Sequence, residues 1–198
     1  IPVDGAQADA FWTHLPFAPT RAQMRVLREI ACDLAGKRAM ARLVQGDVGC
    51  GKTAVAFGAM WLAVDRGWQC AMMAPTEILA RQHYESAQAL LAPLGIRCGL
   101  LLGSMGQKAH REAHAAMREG AWQIAFGTHA LLSPGVEFAR LGLVVVDEQH
   151  RFGVAQRAAL AAKGSHVHIL VMSATPIPRT LALIIYGDLD VSGIDELP

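Results

Sequence analysis

Two short stretches carry residue types that do chemistry together. The first, Gly46-Asp47-Val48-Gly49-Cys50-Gly51-Lys52-Thr53, meets every fixed position of the pattern G-x-x-x-x-G-K-[ST], with Gly49 as a further glycine in the variable part. Glycines at this spacing let successive backbone N–H groups turn inward around a phosphate, and a helix beginning near Lys52 points its positive end at the same anion. Lys52 adds a full charge for the β- and γ-phosphates, and the Thr53 hydroxyl is a hard oxygen suited to Mg²⁺. The second stretch, Asp147-Glu148-Gln149-His150, directly follows the apolar run Leu143-Val144-Val145-Val146. Asp147 is placed there to hold Mg²⁺ through water, and Glu148 to orient or deprotonate an attacking water. A glycine-rich turn or a solvated strand end could produce either stretch singly. Both together read as ATP hydrolysis, with Lys52, Asp147 and Glu148 as the catalytic groups.

The elements that must position these residues follow from the chain between them. The loop sits between a strand-like run, Met40 to Val44, and a helical one, Ala54 to Val64. Beyond it the reading alternates: strand 69–74, helix 76–92 ended by Pro93 and Gly95, strand 96–102, helix 107–118 and strand 122–126. The apolar run into Asp147 is the next strand, followed by helix 154–162, strand 167–172 and helix 179–186. Such alternation predicts an α/β fold, a mostly parallel sheet with helices on both faces and functional residues at the strands' carboxyl ends. Upstream, Thr20 reads as the N-cap of a helix to Ala35 that buries Met24, Leu27, Ile30, Ala31 and Leu34, with Gly36 stopping it. Residues 1–19, punctuated by Pro2, Pro16 and Pro19, read as an irregular incoming linker or arm, with Trp12 and Phe17 packing on the body.

Composition narrows the setting. With 198 residues, 53% hydrophobic and 18% charged, the chain is long enough for one substantial core and suits a sheet covered on both sides. A formal charge of +1 gives no bulk basicity, so any nucleic-acid contact must use local groups. The cysteines, Cys32, Cys50, Cys70 and Cys98, form no C-x-x-C pair, which argues against zinc or a disulfide framework and for a reducing cytoplasm. No run is long enough for a membrane span, so no membrane partner is expected. The chain starts without Met and stops at Asp195-Glu196-Leu197-Pro198, the pattern of a fragment of something longer.

Further blocks carry a resemblance. Asp147-Glu148-Gln149-His150 is a D-E-x-H box, and Ala74-Pro75-Thr76-Glu77, Gly127-Thr128-His129 and Ser173-Ala174-Thr175 stand around it in the order found in superfamily 2 helicases. From about Leu15 to Pro198 the chain resembles the first, RecA-like motor domain of that superfamily. His150-Arg151-Phe152-Gly153-Val154 and Ala174-Thr175-Pro176-Ile177-Pro178-Arg179-Thr180 are similar to blocks shared by RecG-type fork-remodelling helicases and transcription-repair coupling translocases. Gln149 and the ending from Tyr186-Gly187-Asp188-Leu189-Asp190 onward resemble the RecG type. Residues 20–198 would then be the first motor domain, with ATP and Mg²⁺ as cofactors and branched or forked DNA as partner.

The resemblance assigns roles by position. Gln23 would recognise adenine, and Gly46 to Thr53, including Asp47, Val48, Gly49, Cys50 and Gly51, would hold the ATP phosphates. Gln149 and His150 would link the γ-phosphate to Ser173, Ala174 and Thr175, coupling nucleotide state to movement, although the same triplet also reads as a strand-end turn. Pro75, Thr76, Gly127, Thr128, His129, Arg151 and Arg179 would contact DNA, through hydroxyls and free N–H groups as much as through charge. Thr76 is equally an N-cap, and one residue can do both. Of the histidines only His129 and His150 lie in motifs; the others, among them His110, His114, His166 and His168, read as structural or solvated. Cys50 stands where the family has serine, and a thiol in this loop is expected to react with alkylating agents and to be shielded by nucleotide. The second motor domain, expected to supply the arginine finger, and a DNA-binding wedge domain are expected elsewhere in the same protein.

A transcription-repair coupling translocase, and a nucleotide-dependent switch that does not move along DNA, remain competing readings of this pattern. Glu148→Gln keeps the side chain's shape but removes the carboxylate, so ATP should still bind while turnover collapses in the complete protein. Loss of nucleotide affinity in step with turnover would make Glu148 a metal holder instead.

Overall fold

Leu143 to Val146 shows no polar alternation because both faces of its strand are covered. The computed structural model describes residues 1–147, 156, 159–160, 162–164, 166–175, 178, 180–181 and 189–198. Within them, strands β1 (Ala41–Gly46), β2 (Gln69–Met73), β3 (Cys98–Leu101), β4 (Ile124–Gly127), β5 (Leu141–Asp147), β6 (His168–Ser173) and β7 (Asp190–Ile194) form one sheet. Its order is β3-β4-β2-β5-β6-β1-β7, and every neighbouring pair is parallel. Five α-helices are described: α1 (Gly5–Trp12), α2 (Arg21–Ala35), α3 (Lys52–Asp65), α4 (Glu77–Leu91) and α5 (Gln107–Glu119). Val44, Met72, Val145 and Leu170 pack with α1 to α4 on one face, and their neighbours Leu43, Ala71, Val144 and Val171 pack with α5 on the other. The α/β arrangement expected from the alternation is observed, and the helices expected over 154–162 and 179–186 fall largely outside the described residues.

The amino-terminal stretch departs from its expectation. Residues 5–12 form α1, started by a capping box in which Asp4 Oδ1 accepts from Gln7 N–H at 2.9 Å and Asp4 N–H donates to Gln7 Oε1 at 3.0 Å. Ala8, Phe11 and Trp12 form a buried stripe at helical spacing. Phe11 enters where α3 carries Gly58; a Cβ there would sit 2.8 Å from its ring and 2.7 Å from Leu27, so the missing side chain lets three helices meet. Trp12 packs on the body as expected, but Phe17 stays 42% exposed, beyond the reach of that stripe.

Strand β7 is also absent from the sequence reading, and it matters because it flanks β1. Its residues Asp190-Val191-Ser192-Gly193-Ile194 mix polar and small types and have little strand character alone. An ionic network holds it instead: Arg42 of β1 contacts Asp33 at 2.6 Å and Glu29 at 3.5 Å and donates to Ser192 Oγ at 2.8 Å, while the Ser192 hydroxyl donates to Glu29.

At the opposite end of β6, His168 is 5% exposed and its Nδ1 accepts the Met40 N–H at 2.9 Å. Burial, reinforced by the positive Ile1 amino group and by His166, pushes its pKa down to about 4. The folded ring is neutral where the unfolded one, titrating near 6.5, takes up a proton, so stability present above about pH 6.5 is lost as pH falls toward about 4. The unfolding free energy from denaturant titrations should fall over that window by on the order of 2 kcal/mol from this residue, and His168→Asn, which keeps an acceptor without titrating there, should flatten the dependence. Identical pH profiles for the two proteins would exclude His168 as the source.

Candidate functional site

The loop after β1 starts from a strand held on both sides, by β6 and β7. Gly46 lies opposite Ile194, and a Cβ on it would meet Cys50 Sγ at 2.6 Å and the Ile194 carbonyl at 2.8 Å. Gly49 and Gly51 take φ of +87° and +84°, left-handed values open to glycine, and turn the chain so that α3 starts at Lys52. The Lys52 ammonium donates to the carbonyls of Gly46 at 2.7 Å and Asp47 at 3.1 Å, and among the described residues it faces no carboxylate. Neutral partners leave its charge for an incoming anion. Asp47, Val48 and Gly49 are exposed, and a Cβ on Gly49 would meet nothing within 4 Å, so the outer side of the loop is open. Left-handed glycines, an uncompensated lysine and a free helix N-terminus fit a polyphosphate.

Two residues of the loop region have side chains turned into the protein. Cys50 is 1% exposed, with Sγ turned inward against Gly46 and 3.8 Å from Lys52 Nζ, so only its backbone lines the loop. The expectation of a reactive thiol is thereby corrected, since an alkylating agent cannot reach sulfur packed beneath the chain. Gln23 is 1% exposed and already engaged: Oε1 accepts from Thr20 N–H at 2.9 Å, closing the capping box of α2, and Nε2 donates to the carbonyls of Cys50 at 3.3 Å and Gly51 at 3.4 Å. The carboxamide braces the loop from inside.

Strand order then lines up the remaining chemistry. Asp147 pairs with Met172 across β5 and β6, and Ser173 pairs with Gln45 across β6 and β1, so Asp147, Ser173 and Gly46 end three adjacent strands. Neighbouring strands lie roughly 4.8 Å apart, which puts β5 about 10 Å from the strand that carries the loop. Ser173 is buried, and its hydroxyl oxygen accepts Thr175 N–H at 3.2 Å, making a tight turn of Ser173-Ala174-Thr175. Glu148, Gln149, His150, Arg151 and Arg179 lie outside the described residues.

The other expected contacts continue the row. β2 ends beside β5 and β4 beside β2, with Ala74 N–H donating to the Gly127 carbonyl at 2.9 Å. Pro75, Thr76 and His129 are exposed there and Thr128 is half-buried. Thr76 Oγ1 accepts Leu79 N–H at 3.2 Å, the capping role weighed from sequence, whereas the Thr128 hydroxyl caps nothing in the 3₁₀ turn His129–Leu132. Gly127 is buried and packs tightly, since a Cβ would stand 2.5 Å from the Leu101 carbonyl. Beside Thr76, Glu77 accepts from the Ser104 hydroxyl at 2.7 Å and amide at 3.0 Å, and these bonds hold its carboxyl below the usual carboxylate range.

One residue at the site escaped the sequence reading. His83, on α4, places Nε2 2.5 Å from Asp147 Oδ2, with both side chains largely buried. The sequence held one hint of it: His83 lies seven residues after Thr76, two turns along the same face of the helix.

A phosphate loop on the first of a set of parallel strands and a carboxylate ending another define a P-loop nucleotide-binding domain. The DEAD/DEAH box helicase family model matches residues 20–184, and the chain belongs to that family. It is 54% identical over 194 residues to the ATP-dependent DNA helicase RecG of Acidithiobacillus ferridurans, covering 98% of this chain and 28% of that protein. To the same-named protein of Escherichia coli O127:H6 it is 54% identical over 188 residues, covering 93% of this chain and 27% of that one. The chain thus spans less than a third of the length of these curated relatives. The structure of RecG bound to a three-way DNA junction is similar with a TM-score of 0.86 at 43% identity, over 100% of this chain and 26% of that one. A DEAD box protein from Methanococcus jannaschii matches with a TM-score of 0.65 at 20% identity, over 89% of this chain and 50% of that one, a likeness of RecA-like fold.

Gln23→Ala removes half a capping box and the brace beneath the loop. The expected outcome is a loss of about 1 to 2 kcal/mol in denaturant unfolding and an equal weakening of ATP and GTP binding. A loss confined to ATP would assign Gln23 to base recognition.

Proposed function

We propose that the chain is the ATP-binding first motor domain of a DNA translocase and helicase that remodels branched DNA and stalled replication forks in repair and recombination. The observation that carries this reading is the single row of strand ends. It runs from the phosphate loop through Ser173 and Asp147 to the exposed Thr76 and His129, so nucleotide chemistry and a candidate DNA face share one edge of a rigid sheet. Likeness to RecG, one structure of which is bound to a three-way DNA junction, supports branched DNA as the substrate class.

In this reading Lys52 and the loop amides bind the β- and γ-phosphates. Thr53 and Asp147 offer the hard oxygens that Mg²⁺ takes, and the ion when bound neutralises phosphate charge. Glu148 orients the attacking water, and Gln149 and His150 pass the nucleotide state to Ser173, Ala174 and Thr175. Pro75, Thr76, Gly127, Thr128, His129, Arg151 and Arg179 make the DNA face, with Gly127 acting through its packing. A second motor domain of the same protein supplies the arginine finger and the body to move against, and a wedge domain grips the branch. Residues 1–19 lead into the motor domain at 20–198. Among the described residues no helix is long and apolar enough to cross a membrane, and we place the protein in the cytoplasm with its DNA.

Lys52→Ala in the complete protein should lower ATP turnover by about a hundredfold or more and abolish fork unwinding, while fork binding in gel shift stays near the parent value. Turnover within about threefold of the parent would sink the assignment of the loop.

A further inference from the structure

His83 has no place in the roles above, yet it stands in direct contact with the carboxylate assigned to Mg²⁺. Its Nε2 stands 2.5 Å from Asp147 Oδ2, and the two side chains are 13% and 12% exposed. A carboxylate accepts only, so the ring nitrogen carries the hydrogen. The contact fixes Oδ2 and leaves Oδ1 as the oxygen that His83 does not hold. Groups that orient metal-holding carboxylates in this way tune cation affinity by about 10- to 100-fold.

Helix α4 extends the contact to the other end of the row. It begins beside Thr76, whose hydroxyl caps it, and Glu77 in its first turn is tied to Ser104. Further along, Tyr84 packs edge-on against Phe126 of β4, with ring centres 6.1 Å apart, and seats the helix on the sheet. His83 lies seven residues from Thr76, about 10 Å along the axis. A load on the exposed start of α4 moves the helix as one piece, and a hydrogen bond weakens steeply within an ångström of displacement.

We propose that His83 is a positioning residue that fixes the orientation of the Asp147 carboxylate and ties it to the DNA-facing start of α4. This inference rests on the proposed motor function and adds to it the route by which DNA contact adjusts the cation site.

The test uses the complete protein with Mn²⁺ as probe. Mn²⁺ binding in the presence of ADP is titrated by electron paramagnetic resonance, with and without a DNA fork, alongside ATP turnover with and without the fork. Melting temperature and metal-free ADP binding check that each variant is folded. His83→Leu should weaken Mn²⁺ binding about tenfold and reduce the stimulation of turnover by DNA. His83→Gln, which keeps a donor at similar reach, should restore both to within about twofold of the parent. Parental Mn²⁺ affinity in His83→Leu would overturn the proposal, and so would equal loss in the Leu and Gln variants, because the donor would then not matter. Weakened Mn²⁺ binding with unchanged DNA stimulation would overturn the link to DNA. Asp147→Asn separates the layers: loss of Mn²⁺ there with none in His83→Leu rejects the role of His83 and leaves the motor reading standing. Parental Mn²⁺ affinity in Asp147→Asn would remove the assignment of Asp147 and this inference with it.

Discussion

Parallel pairing sets β5, β6 and β1 side by side with Asp147 opposite Met172 and Ser173 opposite Gln45, and the chemistry of the site hangs from those two registers. Side chains alternate along a strand, so a slip of one residue would exchange the residues facing the two cores along the whole of β6. Leu170 and Met172 pack on one side and Val171 on the other, so a slip would force side chains of different volume into closely packed layers, which makes it costly. Close packing on two faces is therefore what aims the carboxyl ends of these strands.

Around that fixed row the phosphate loop is held from within rather than by its own sequence alone. β7 places the Ile194 carbonyl against Gly46, Gln23 reaches Cys50 and Gly51 from α2, and the Cys50 side chain fills the space between. Backbone carbonyls occupied in this way cannot rotate into the phosphate space, so the N–H groups are left to face it. The ionic contacts of Arg42 serve the same end at one remove, by keeping a strand of low intrinsic propensity beside β1.

Most strands and helices were legible in the sequence because both kinds of signal there are local. Apolar runs such as Leu143 to Val146 and the glycine spacing of Gly46 to Thr53 need no distant partner to be read. Helix α1 was obscured by its flanking prolines, although Asp4 and Gln7 already stood at capping-box spacing. β7 could not be read locally, since what holds it is Arg42, Glu29 and β1, all more than a hundred residues away in the chain. The same limit applies at the site. The types and order of Lys52, Asp147 and Ser173 were readable, but the contact of His83 with Asp147 joins residues 64 apart, and the inward turn of Gln23 depends on where the loop carbonyls end up. Cys50 was misjudged for a related reason, because a residue inside a binding motif was taken to face the ligand.

The burial of Cys50 has a consequence for how this molecule ages under oxidative stress. Oxidants attack accessible thiolates, and the sulfur inside the loop lies beneath its own backbone. Cys70 is buried as well, with its thiol pushed up by loss of solvent, and burial likewise raises Cys98 to about 12. Cys32, on α2, is the exposed thiol among the four. Peroxide damage should therefore mark the outer surface of α2 first, far down the helix from Gln23, and leave the phosphate loop chemically intact while the fold persists.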